Sequence, residues 1–181
     1  DAGREDLTET FIFTIDPPNA KDFDDAINIM VDPETGEWEL GVHIADVASF
    51  VTPGSSLDQT AIDRGNSVYH PRHVVPMLPE VLSNGVCSLQ EGVRRWAKSV
   101  FIRFNNKGKV VSHRLRNSVI CSAKRLTYLE AQALIDGDEK EARKNMIKLM
   151  KIYINEQQKR NKERLKENEE YLKINKEKEL E

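Results

Sequence analysis

Long apolar runs are missing from this chain of 181 residues, in which hydrophobic residues make up only 39%. No stretch approaches the roughly 20 apolar residues of a membrane-spanning helix, and the N-terminus lacks the basic and apolar blocks of a signal peptide. The expectation is a soluble, cytoplasmic protein with no membrane partner. Cysteine is scarce. Cys87 and Cys121 are the only two, and without His or Cys neighbours at metal-ligand spacing both read as reduced structural thiols. Basic charge is almost absent from the first third. Residues 1–63 hold 15 acidic against 2 basic side chains, residues 64–128 hold 12 basic against 2 acidic, and residues 129–181 carry 13 of each, so the net charge of −3 conceals a strong polarity. Two readings stay open: a fold that holds cations beside a polyanion track, or neighbouring strands with complementary surfaces.

What the sequence does have is four aspartates, Asp16, Asp22, Asp24 and Asp25, within ten residues, directly after the apolar run Phe11-Ile12-Phe13. Carboxylates this close repel and raise one another's pKa unless a cation gathers them or they splay into water. Magnesium suits such a set, because it takes oxygen ligands, keeps several waters and completes its shell with phosphate oxygens. An acidic surface loop shaped by Pro17-Pro18, with Asp22 or Asp24 capping a helix, is the competing reading. An EF-hand is excluded, since counting from Asp22 puts Ala26 at the fifth position and Ile27 where the glycine belongs.

Residues 11–15 are rich in aromatic and β-branched side chains and read as a strand that delivers Asp16. Residues 26–31 and 38–45 alternate around the turn sequence Asp32-Pro33-Glu34-Thr35-Gly36-Glu37 and predict a hairpin. Residues 47–51 continue as strand or sheet edge, and Ser56 is placed to cap a short helix over 57–64. Prolines at 71, 76 and 79 exclude a regular helix there and predict a loop. A second hairpin is expected from 99–104 and 110–117 around Asn105-Asn106-Lys107-Gly108-Lys109. Helical patterning starts at Thr127, breaks at Asp136-Gly137-Asp138 and resumes at Glu139, but beyond Asn155 no single apolar face persists. The whole predicts an α+β fold of antiparallel hairpins with packed helices and a long charged C-terminal helix.

Four collinear blocks resemble the catalytic RNB domain of ribonuclease II and ribonuclease R type exoribonucleases. They are Thr14-Ile15-Asp16 with Ala20-Lys21-Asp22-Phe23-Asp24-Asp25-Ala26; Val42-His43-Ile44-Ala45-Asp46-Val47; Asn66-Ser67-Val68-Tyr69 with residues 75–85 and Cys87-Ser88-Leu89; and Ala123-Lys124-Arg125-Leu126-Thr127-Tyr128. The resemblance covers residues 10–150. It implies metal-dependent, processive 3′ to 5′ hydrolysis of single-stranded RNA to nucleoside 5′-monophosphates, with magnesium or manganese as cofactor. By position, Asp16, Asp22 and Asp25 would hold metal directly or through waters, and Asp24 would be the aspartate most needed for chemistry. Tyr69 matches an aromatic that stacks on terminal nucleotides, and Tyr128 matches a residue near the scissile end. Arg72, Arg94, Arg95, Arg103 and Arg125 are candidate phosphate contacts. His43, Asp46 and Cys87 are read as structural. A full RNB domain is longer than this chain, and its second aromatic clamp, its active-site arginine and its flanking OB-type modules have no counterpart here. The expectation is therefore the N-terminal half of an RNB catalytic domain in residues 1–150 and a charged helical tail in 151–181. The alternative is a non-catalytic RNA-binding or partner-binding module.

Overall fold

The computed structural model describes residues 3–70 and 73–137, together with Lys162 and Lys166, both helical. Seven strands and two helices follow in order: β1 (Glu5–Asp16), β2 (Asp25–Val31), β3 (Trp38–Ala45), α1 (Ser56–Arg64), β4 (Val68–His70), β5 (His73–Val75), β6 (Arg94–Phe104), β7 (Val110–Thr127) and α2 (Tyr128–Asp136). The chain separates into two compact units, Asp1–Ala131 and Gln132–Glu181. The C-terminal helix expected beyond 139 and the boundary at 150 lie outside the described residues, apart from Lys162 and Lys166. Among the described residues no helix is long and apolar enough to cross a membrane.

Five strands close into a barrel in the order β1-β2-β3-β6-β7. The expected hairpin over 26–45 forms, in the register Asp25↔Ile44 to Val31↔Trp38, and β6 pairs with both β3 and β7. The expected antiparallel hairpins are joined by one pairing of the other sense: β1 and β7 run parallel, from Glu5↔Ser118 to Asp16↔Thr127, and this pairing closes the barrel. Strands β6 and β7 also exceed the predicted hairpin, since their extra residues line the closed interior. Residues 47–51 are not strand. Val47–Ser49 make a single 3-10 turn, in which the Ser49 hydroxyl donates to Asp46 Oδ2 at 2.7 Å and a local bond competes with any ladder. Ser55, extended at ψ 162°, caps α1 in place of Ser56 by accepting from the Asp58 amide. The proline-bearing stretch folds into the small β4–β5 hairpin and a wide helical turn over Val81–Val86, with its prolines falling between the elements.

The barrel interior is mixed, with a buried polar row beside apolar side chains such as Ile12, Phe101 and Ile120. Asn28, His43, Ser99 and Ser118 are all fully buried. Burial pushes His43 down to about 4 and so keeps it neutral. Its Nε2 lies 2.9 Å from Asn28 Oδ1 and carries the proton, while Nδ1 accepts from the Ser99 hydroxyl at 2.7 Å. Gly41 sits opposite Asn28, and a Cβ there would fall on Asn28 Oδ1, with His43 Nε2 at 3.0 Å. The outer face is apolar by contrast: Val31, Trp38, Phe104 and Val110 pair across four strands, and Ile29, Leu40 and Ile102 form the next row. Arg4 closes one flank, donating to the buried Asp46 at 2.6 Å and lying 4.4 Å from the Trp96 ring centroid. Cys87 and Cys121 are both buried.

Replacing Gly41 with Ala forces Asn28 off His43 and should cost about 1–3 kcal/mol in urea denaturation. Part of that loss should return when Asn28 is also shortened to Ala. The neutral His43 makes a second expectation: the unfolded chain takes up a proton near pH 6.5 and the folded one only near 4. Stability should therefore fall as the pH drops from the first value to the second, with a slope of about 1.4 kcal/mol per pH unit. A His43→Gln variant should lack that slope.

Candidate metal and nucleic-acid site

One end of the barrel gathers the last residues of β1, β3 and β7 and the first of β2 and β6. Strand β1 alternates so that Ile12, Thr14 and Asp16 face inward and are buried. Asp16 thus reaches the barrel end largely withdrawn from water, and its buried Oδ2 has no hydrogen-bond partner among the described residues. Asp25 opens β2. The chain between them turns at Pro17, where the Ala20 amide donates to the Pro17 carbonyl at 3.0 Å, and residues 21–24 form neither helix nor strand. Phe23 inserts into the core beside Ile12, Ala26 and Leu89. Phe23 is buried, whereas Asp22 is half-buried and Asp24 is exposed on either side of it.

That segment is fastened along its length. The Ser88 hydroxyl donates to the Lys21 carbonyl at 2.7 Å and accepts from the Phe23 amide at 3.1 Å. The Leu89 amide donates to the Phe23 carbonyl at 2.8 Å, and the Ala45 amide to the Asp24 carbonyl at 2.9 Å. Arg125 Nη2 donates to the carbonyls of Pro17 and Pro18, both at 2.8 Å, and its guanidinium lies 5.0 Å from the Phe23 ring centroid. Arg125, expected as a phosphate contact, is thus turned toward the loop itself.

The electrostatics follow from this crowding. Burial raises the Asp16 carboxyl, and the charges of Asp25 and Asp22 add to it, with the neighbouring Thr14 hydroxyl and the Arg125 charge opposing. Asp24 keeps an exposed surface but is hemmed in by protein. That desolvation raises its carboxyl, and the charges of Asp22, Asp25 and Asp16 push it further. Among the described residues none of the four forms an ion pair with Lys or Arg. They are also not drawn into a ready cage, for no group of three His, Cys, Asp or Glu side chains among the described residues is close enough to grip an ion alone. The donor set nevertheless fits a hard divalent cation. It offers oxygen only, one oxygen is buried without a partner, and the mutual repulsion is of the kind a cation relieves. Waters and a substrate phosphate would have to complete the shell.

Tyr69, at 67% exposure on the β4–β5 hairpin, donates from its hydroxyl to Asp22 Oδ2 at 3.2 Å. The Asp22 charge raises that phenol's pKa. Tyr128 opens α2 and is also exposed. Its position is set by a capping box, in which the Glu130 amide donates to Thr127 Oγ1 and the Thr127 amide to Glu130 Oε2. Because Thr127 pairs with Asp16, Tyr128 begins beside the aspartate end of β1. Arg72 lies outside the described residues. Arg95 points away from solvent, with Nε donating to the Ser88 carbonyl at 2.8 Å, and Arg103 faces Glu39. Sequence reasoning did not find the Ser88, Arg95 and Tyr69 contacts. The block Cys87-Ser88-Leu89 marks the place, but nothing in the order of residues shows that it meets Lys21 and Phe23.

A family model described as the RNB domain matches residues 4–181. The chain is 50% identical over 133 residues to Ribonuclease R of Chlamydia muridarum, covering 74% of this chain and 19% of that protein. It is 52% identical over 126 residues to Ribonuclease R of Thermotoga maritima, covering 70% and 18%. Mycoplasma genitalium RNase R, solved in complex with ribose-methylated single-stranded RNA, superposes with a TM-score of 0.72 at 34% identity, over 87% of this chain and 25% of that one. Yeast Ssd1, described as a pseudonuclease, gives 0.66 at 25% identity over 75% and 17%. The chain therefore spans about a fifth of the length of the curated relatives it matches.

Asp24 takes up its proton more readily in the crowded folded site than in the unfolded chain. Its contribution to stability is thus lost as pH rises through that raised range. In chelator, Asp24→Asn should melt at a higher temperature than the wild type at pH 8, and the gap should close toward pH 4. Calorimetric scans at both pH values check this.

Proposed function

The chain belongs to the RNB domain family, and from that premise we propose that it carries the metal-binding part of a 3′ to 5′ exoribonuclease. The substrate is single-stranded RNA and the products are nucleoside 5′-monophosphates. The observation that carries this reading is the gathering of Asp16, Asp22, Asp24 and Asp25 at one barrel end, with a buried carboxylate oxygen left unpartnered. Kinship with Ribonuclease R supports the choice of RNA.

Asp16, Asp22, Asp24 and Asp25 are the residues that would hold magnesium or manganese. When bound, such ions lower the pKa of water and offset charge on the leaving oxygen. The protein's own part is to bring four carboxylates to one end of the barrel. Asp16 is presented by a strand end and Asp25 by a strand start, which are stiff mounts. Tyr69, exposed on its hairpin, offers a ring on which any base can stack. Tyr128 is fixed by its capping box near Asp16 and is suited to meet the ribose end. Arg72 is assigned as a phosphate contact from its place in the sequence alone. The second aromatic clamp and the arginine implied by the family resemblance have no counterpart in these 181 residues, so turnover by this chain alone is slow.

The kinship to Ssd1, a pseudonuclease, favours a second reading, in which the chain binds RNA or a partner without cleaving it. A 5′-labelled single-stranded RNA incubated with the chain separates the two. The expected result is slow shortening from the 3′ end in magnesium or manganese and none in chelator. Asp24→Asn should reduce the rate by at least about 100-fold while RNA affinity is unchanged. RNA that is bound but stays intact with the wild type and the variant alike would establish the second reading.

A further inference from the structure

Around the aspartate segment, side chains from distant parts of the chain hydrogen-bond to its backbone. We propose that Ser88 and Arg125 are positioning residues that clamp the two halves of the segment and thereby set the metal affinity of Asp22 and Asp24. The inference rests on the metal-site reading above.

Ser88 is fully buried, and its single hydroxyl serves two backbone groups that flank Asp22, the Lys21 carbonyl at 2.7 Å and the Phe23 amide at 3.1 Å. A donor and an acceptor two residues apart, bonded to one oxygen, fix the peptide planes on either side of the residue between them. Ser88 is itself held from below. Arg95 on β6 donates to the Ser88 carbonyl at 2.8 Å through Nε and to the Gly85 carbonyl at 3.2 Å through Nη2. The Ser88 amide donates to the Gly85 carbonyl as well. A continuous set of bonds therefore runs from a barrel strand to the backbone of Asp22.

Arg125 holds the other half. It projects from β7 and bonds the carbonyls of Pro17 and Pro18 with one terminal nitrogen. Neither proline can donate a backbone hydrogen bond in return, so the turn after Asp16 has few other fastenings. The Arg125 guanidinium also covers the ring of Phe23, the buried residue between Asp22 and Asp24. Neither Ser88 nor Arg125 needs to touch an ion for this. Both act through the backbone, as the outer partners of metal ligands do when they restrict a ligand's orientation.

The test uses Mn2+ alone as the probe. Its affinity is read from the electron paramagnetic resonance signal of the free aqua ion, with hydrogen exchange of the Phe23 amide followed in metal-free protein. Near-UV circular dichroism reports the fold. For Ser88→Ala, the Mn2+ dissociation constant should rise about 10- to 100-fold and Phe23 should exchange faster, while affinity for RNA in chelator is unchanged. Arg125→Met keeps the apolar cover on Phe23 but loses the donors and should weaken Mn2+ likewise. Arg125→Lys should recover part of it. If Ser88→Ala does not fold, the two Arg125 variants decide. Folded variants that bind Mn2+ as tightly as the wild type would overturn the positioning role and leave the metal site standing. A wild type that binds no Mn2+, or binding unaffected by Asp24→Asn, would remove the metal site and this role with it.

Discussion

Closure of the barrel rests on β1 lying parallel to β7, the first strand against the last among the described residues. Antiparallel neighbours can be joined by short turns, but a parallel pair needs a long connection, and here that connection is everything between them. The consequence is local as well as global. Pairing Asp16 with Thr127 brings the aspartate segment, the Arg125 side chain and the start of α2 to one barrel end. Residues more than a hundred positions apart thus share a site because one ladder fixes their register.

The uneven charge along the chain resolves into two parts. Much of it is complementary pairing between strands: Arg114 meets Glu5 and Glu39, Arg103 meets Glu39, Arg116 meets Glu5, and Arg4 and Lys98 meet Asp46. The exposed ones among these pairs add little stability, but together they account for basic residues that would otherwise suggest a polyanion track. Burial pushes the Asp46 carboxyl up, yet hydrogen bonds from Ser49 and Arg4 and the charges of Lys98 and Arg4 outweigh it and hold it below the usual range. The aspartate cluster receives no such partner. The reading of neighbouring strands with complementary surfaces therefore holds for these pairs.

Hairpins and the aspartate segment were legible because their signals are local. Alternation, the turn at residues 32–37 and the spacing of four carboxylates need no knowledge of distant contacts. The barrel was not legible, since a parallel pairing between distant strands leaves no mark on either one. The turn after Asp46 was missed for a related reason, because the sequence reads as apolar strand while the backbone follows Asp46 inward to Arg4. Arg125 shows the limit for site residues. A basic side chain near an acidic motif suggests a phosphate contact, and only geometry reveals that it bonds proline carbonyls.

The buried polar row has a consequence for how the sequence can vary. An apolar core tolerates exchange among side chains of similar volume, but the row Asn28, Gly41, His43 and Ser99 is joined by directed bonds and one steric vacancy. A change at any one of these positions strands a donor or fills the vacancy. Evolution can cross this part of the barrel only by paired steps, so among descendants these four positions should drift together while the outer rows drift singly.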